Sequence, residues 1–117
     1  MLCVYVGGRI SAETTEEEDA NLARIRELSR QVWDLGHAPF PIGWDSKMGA
    51  DLGFRQRDWY EYDNAWLDRC DVGVFVEEGL EDSLGAKDEV VRMERNGQPV
   101  CIGIEAFEAW LAGKAGR

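Results

Sequence analysis

The chain has one histidine, three cysteines and three prolines in 117 residues. With His37 alone, a Ser-His-Asp or Cys-His relay has nothing to position its base, so that chemistry is excluded. Cys3, Cys70 and Cys101 are odd in number, far apart, and never in a CxxC pair, which argues against a zinc site and against a disulfide framework. Free thiols in a cytoplasmic protein are the expectation. Positive charge is also short: 13 Lys and Arg face 23 Asp and Glu, for a formal charge of −10. That surface repels nucleic acid polymers and anionic membranes, but it permits one small anion in a local pocket. No apolar run reaches the length of a membrane span, and the start shows no basic signal region.

What is present suits one domain, 1–117, with a single core. Four short apolar runs read as strands: 2–6, 37–42, 71–76 and 100–104. Between the first two, Thr15 with Glu18 suggests a capping box. Leu22, Ile25, Leu28, Val32 and Leu35 then recur at helical spacing up to Gly36. Residues 57–70 and 84–96 read as further helices, 105–111 as a short last one, and 112–117 as a frayed tail. Residues 43–58 read as one long irregular stretch, a flap able to cover a flat aromatic ligand through Trp44 or, equally, a connector. Pro39 and Pro41 place the second strand at a sheet edge. Strand–helix repetition of this kind predicts an α/β, flavodoxin- or Rossmann-like three-layer sandwich. Its sheet would be parallel and four-stranded, in the order 2-1-3-4.

Three stretches carry possible chemistry. In DSLGAKDE, residues 82–89, a Ser/Gly turn opens a helix, so free amides at Ser83 and Gly85 would face an anion, with Glu89 one to two turns beyond. A plain helix cap with a solvated acid explains these eight residues better when they are taken alone. Gly7-Gly8 after the first strand lets the backbone approach a ligand, followed by Arg9 and Ile10, though two glycines ending a strand explain it as well. Asp63 falls on one helical face with Trp59, Trp66 and Cys70. A carboxyl there is costly unless it is paired or used, and a rim position bonded to a loop is an even alternative. In the predicted topology all three stretches meet beyond the carboxyl ends of the strands, and that convergence favours a ligand cleft. His37 reads as structural.

Taken together, Tyr5-Val-Gly-Gly, Gly36-His37 with Pro39 and Pro41, Asp63 before Cys70-Asp71-Val-Gly-Val, Ser83-Leu-Gly-Ala-Lys-Asp-Glu89 and Gly97-Gln-Pro-Val resemble the nucleoside 2-deoxyribosyltransferase superfamily. The pattern is most similar to the 2'-deoxynucleoside 5'-phosphate N-hydrolases and covers nearly the whole chain. The resemblance implies Glu89 as the nucleophile at C1', Asp63 as proton donor or orienter near the departing base, and Tyr5 as the residue positioning Glu89. It implies a phosphate held by Gly8, Arg9, Ser83 and Gly85, and the strand-end and flap readings above add Gly7, Ile10 and Trp44 as ligand contacts. Ser83 stands where the transferases have Asp, which favours a phosphorylated substrate. Lys87-Asp88 and Arg9 depart from the usual pattern. The implied activity is hydrolysis of the N-glycosidic bond of a nucleoside monophosphate, with base transfer or non-catalytic nucleotide sensing as alternatives. No cofactor is implied. Five tryptophans in so small a chain, and the family's habit of pairing, lead us to expect a homodimer or larger assembly.

Overall fold

A computed structural model of the chain describes residues 1–43 and 46–115, apart from the side chains of Ser46, Lys47 and Ala115. Its element order is β1 (Cys3–Gly7), α1 (Thr15–Asp34), β2 (Ala38–Pro41), α2 (Ser46–Leu52), α3 (Gln56–Leu67), β3 (Val72–Phe75), α4 (Leu84–Arg95), β4 (Val100–Ile102) and α5 (Ile104–Ala115), with a 3₁₀ turn, Leu80–Asp82, before α4. The sheet is all-parallel in the order β2-β1-β3-β4, as the sequence predicts. Helices α1 and α5 touch each other, as do α3 and α4, giving a layer on each face.

Strand alternation sorts the core. Val4 and Val6 with Val72 and Val74 face one way, and Ile25, Leu28 and Val32 of α1 pack in the same fully buried cluster. Tyr5 faces the other way, against Phe40 and Phe75. Gly73 lies beside Tyr5 in the sheet because a Cβ there would strike Met93 Sδ of α4 at 2.3 Å. The edge strand is protected as its prolines suggest. The amides of Ala38 and Ile42 donate to the carbonyls of Leu2, just before β1, and of Val6 within it, so the outward positions are 39 and 41, and both are proline with no N–H to offer. His37 is structural: its Nδ1 accepts the Leu2 amide and its ring meets Phe107 edge-on.

Several expectations are corrected. The N-cap of α1 is Thr14, whose hydroxyl accepts from the Glu17 amide, one residue ahead of the predicted box. Residues 43–58 are not one irregular stretch. They contain α2 and the first turn of α3, with Gly49 pressed so closely on Trp59 that a Cβ would come within 1.9 Å of the ring. Trp59 in turn meets Phe54 and Tyr62. The predicted last helix, 105–111, extends as α5 from Ile104 to Ala115, so the expected frayed tail is helical through Ala115. Among the described residues no helix is long and apolar enough to cross a membrane.

Candidate functional site

A cleft of about 640 Å³ opens beyond the carboxyl ends of β1 and β3, the topological switch point of the sheet. Its lining brings together Gly8, Arg9 and Ile10 after β1, Asp63 from α3, and Ser83, Gly85 and Glu89 from the start of α4. Seven of the ten candidate residues therefore share one cavity. Tyr5 lies behind it, Gly7 is not on its wall, and Trp44 lies outside the described residues.

The floor is built from β1 outward. Tyr5 is fully buried between Phe40 and Phe75, and its hydroxyl donates to Oε2 of Glu89. Burial pushes the Tyr5 phenol well above its ordinary range, with the negative charges of Glu89 and Asp63 adding to the effect. Tyr5 therefore stays a proton donor to Glu89 at any physiological pH. Gly7 is required by packing, since a Cβ there would approach Cε1 of Phe75 at 2.6 Å. Gly8 is held similarly, at 3.0 Å from Val76 Cβ, but it also faces the cleft.

Glu89 sits in the second turn of α4 with Asp63 near it on α3. Burial raises Glu89 to about 7. The Tyr5 hydrogen bond opposes that rise, while the charges of Asp63 and Asp88 add to it. Burial alone raises Asp63 to about 6. The sequence argument has Asp63 holding the proton and Glu89 ionised. Both are raised, as partly buried carboxyls facing one cleft should be, so the pair takes up a proton above the ordinary carboxylate range. The predicted apolar stripe around Asp63 is only partly inward. Cys70 is buried, but Trp66 is 46% exposed and stacks on Phe40 at the flank of the helix.

The same cleft is lined by Arg9 and by the first residues of α4. Ser83 is the N-cap of α4, and its Oγ accepts the Ala86 amide at 3.2 Å. The plain-cap reading therefore holds, yet it uses only the acceptor side of the hydroxyl. The amides of Leu84 and Gly85 have no acceptor among the described residues, and nothing lies within 4 Å of where a Gly85 Cβ would be. The Arg9 stem lies across Gly79, where a Cβ would come within 3.0 Å of Arg9 Cδ and φ +80 strains any other residue. Arg9 Nε donates to the Ser11 carbonyl at 3.0 Å, and the guanidinium makes no ion pair with a described residue. Asp82 at the same rim is the counterweight, an exposed acid.

Sequence reasoning missed the wall formed by Gln56 and Tyr60. They stand seven and three residues before Asp63, on its face of α3, with Gln56 Nε2 donating to the Tyr60 hydroxyl at 3.2 Å. The helical spacing back from Asp63 was the available signal. Leu22, which looks like ordinary core of α1, and Ile42 supply apolar wall. Among the described residues no three His, Cys, Asp or Glu side chains gather as a metal site. The arrangement can hold an anion at the rim, a flat apolar group against Trp59 and Tyr60, and a shared proton between two carboxyls. No model of a known protein family matches this sequence, and a comparison with curated proteins finds no significant relative.

Proposed function

We propose that the protein hydrolyses the N-glycosidic bond of a nucleoside or deoxynucleoside 5'-monophosphate, releasing free base and sugar phosphate. One observation carries the reading: Glu89, held by the Tyr5 hydroxyl, shares a cleft with Asp63 and with the open amides that begin α4. The resemblance to the 5'-phosphate N-hydrolases supports it from the sequence side.

The chemistry follows the two-carboxylate logic of a retaining glycosidase. The phosphate lies against Arg9, Ser83 and the amides of Leu84 and Gly85. Glu89 as carboxylate attacks C1'. The C1'–N bond breaks, its electron pair goes to the base nitrogen, and Asp63 supplies a proton there. Positive charge developing on the sugar favours the ionised form of Glu89, so binding and reaction favour the state with Asp63 protonated. Water then attacks C1', the C1'–O bond to Glu89 breaks with its electron pair returning to the carboxylate, the hydroxyl of the water stays on the sugar, and its proton goes to Asp63. The aromatic wall of Trp59 and Tyr60 suits the base.

Incubation with a panel of nucleosides and nucleoside monophosphates, followed by chromatography for free base, tests the proposal. Glu89→Ala is expected to abolish release while leaving ligand binding intact, a loss of at least about 1000-fold. Turnover retained at even about a tenth of the parent rate would show that Glu89 is not the nucleophile. Binding without turnover in the parent protein would make it a nucleotide sensor, and base exchange in place of release a deoxyribosyltransferase.

A homodimer or larger assembly belongs to the same proposal. Trp33 is 58% exposed beside the edge strand, and Trp66 is exposed on its other side. Such anchors are costly in water and are favoured at interfaces. Light scattering at micromolar concentration should give a mass of at least twice 13.2 kDa. A monomer with full activity would remove the assembly from the proposal.

A further inference from the structure

The two carboxyls of the cleft belong to different helices. Helix α3 leads from the end of β2 to the start of β3, and α4 from the end of β3 to the start of β4. In a parallel sheet the two therefore run side by side in one direction, both beginning at the cleft end. Asp63 and Glu89 repel each other whenever both are ionised, and that force acts to part the helices. At the cleft end no polar bond joins them among the described residues. At the far end several do.

Asp68 is the C-cap of α3, five residues past Asp63, and Arg92 stands three residues past Glu89, offsets of about 7.5 Å and about 4.5 Å along the two axes. Arg92 grips Asp68 with two bonds, Nε to Oδ1 at 2.8 Å and Nη2 to Oδ2 at 2.7 Å. Asn96, the C-cap of α4, adds a third, from Nδ2 to Oδ1 at 2.8 Å. In the following turn Gln98 Nε2 donates to the carbonyls of Leu67 and Cys70 at 2.7 and 2.8 Å, and so fastens the last turn of α3 to the same turn. The planar fork of an arginine on a carboxylate fixes direction as well as distance, which a lysine cannot do. The pair is partly exposed and as a lone surface ion pair would add little stability. Its shared bonds and its place give it another use.

We propose that Asp68 and Arg92 form a positioning clamp that fixes the spacing of α3 and α4, and with it the separation of Asp63 and Glu89 across the cleft. Its consequence for rate rests on the glycosidase reading above. Its consequence for the carboxyl pair does not. Arg92 and Asn96 hold Asp68 down at about 2, so the clamp stays charged through the range in which the cleft titrates. Glu89 is faced by the Tyr5 hydroxyl from β1, by Asp63 from α3 and by Asp88 on its own helix, with Arg9 lining the same cleft. With the clamp cut, the helices can part as Asp63 and Glu89 ionise. Water then enters, repulsion falls, and Glu89 moves back toward its ordinary range.

The test follows the Glu89 side-chain carboxyl by carbon NMR through a pH titration. It compares the parent, Arg92→Ala, Arg92→Lys, and the reversed pair Asp68→Arg with Arg92→Asp. Arg92→Ala should lower the Glu89 midpoint by at least about half a pH unit. Arg92→Lys, which keeps the charge but loses the fork, should also lower it, and the reversed pair should bring it back toward the parent. If Arg92→Ala does not fold, the Arg92→Lys comparison decides the matter. An unchanged midpoint in a folded clamp variant, or failure of the reversed pair to restore it, overturns the clamp. In a turnover assay Arg92→Ala should lower kcat by about tenfold with KM little changed. A parent protein that releases no base from any nucleotide defeats the glycosidase reading while leaving the titration to judge the clamp.

Discussion

The two faces of the sheet obey different rules. On the α1 face, Val4, Val6, Val72 and Val74 pack with Ile25, Leu28 and Val32, all nearly or wholly excluded from solvent. Its one buried polar side chain among the described residues, Ser29, returns its hydroxyl to the Ile25 carbonyl of its own helix. On the α3 and α4 face a buried tyrosine meets a half-buried glutamate and aspartate at the cleft, and the Tyr5–Glu89 bond crosses from strand to helix. The first face lowers the free energy by removing apolar area from water. The second gives some of that up, because two carboxyls are raised by burial and neither has a cationic partner close by. A fold that departs from its local rules in one place, and there gathers ionisable groups in a cleft, makes that place the candidate site.

The contrast breaks if the α1 and α5 face can be damaged as freely as the other. Phe107 of α5 is wholly buried between His37 and Trp110. Phe107→Ala should cost about 3–5 kcal/mol in a denaturant titration, the usual price of a large core cavity. Base release per folded molecule should not change. A loss below about 1 kcal/mol would mean that this face is not where the stability resides.

The converse change should stabilise. Glu89 is raised from 4.5 in the open chain to about 7 in the fold. A carboxyl with a raised folded value favours folding below its unfolded value, where it is neutral in both states. That advantage is lost as pH rises through the folded value, since ionisation is then harder in the fold than in the open chain. Glu89→Gln removes the charge and keeps an oxygen for the Tyr5 hydroxyl. It should raise stability by about 1–3 kcal/mol at pH 8 and by almost nothing near pH 4. Thermal unfolding of both proteins at the two pH values measures it. Equal unfolding temperatures at pH 8 would show that Glu89 is not strained by its surroundings, and the difference between the faces would shrink to one of shape.

The same contrast explains what the sequence could reveal. Strand order, the α1 stripe and the proline edge were legible because period and apolar runs are local signals. Asp63, Ser83 and Glu89 were legible because helical spacing and the switch-point rule place them without side-chain detail. Helix α2 was not: it is seven residues long, contains Gly49, and that glycine is required by the Trp59 ring from another helix. The sequence shows α5 only as far as 111 and reads 112–115 as fraying tail, because the apolar residues run almost all round the helix and Gly113 interrupts them. Gly7 looks like a ligand glycine until the Phe75 ring appears against it, and the Gln56–Tyr60 wall depends on how α3 is rolled on the sheet. The Gly49 and Gly7 misses are tertiary contacts that no local pattern encodes.

The smallest effect bears on the rim, where the acidic chain would have to welcome an anion. Arg9 is well placed for this. Gly79 leaves room for its stem, the Ser11 carbonyl fixes Nε, and the rest of the guanidinium makes no ion pair with a described residue. Asp82 opposes an anion at the same rim, so the amides of α4 and Arg9 together must outweigh it. Arg9→Ala should therefore leave cleavage of a free nucleoside nearly unchanged. It should reduce the preference for the monophosphate, taken as the ratio of kcat/KM values, by about tenfold, or about 1.4 kcal/mol. The parent protein must show that preference for the test to have meaning. Equal specificity constants for nucleoside and monophosphate in the parent would place the phosphate outside this cleft. A preference that survives Arg9→Ala intact would assign it to the Ser83 turn alone. A uniform loss on both substrates would instead make Arg9 a support for the loop after β1, with the carboxyl face still the site and the rim only its frame.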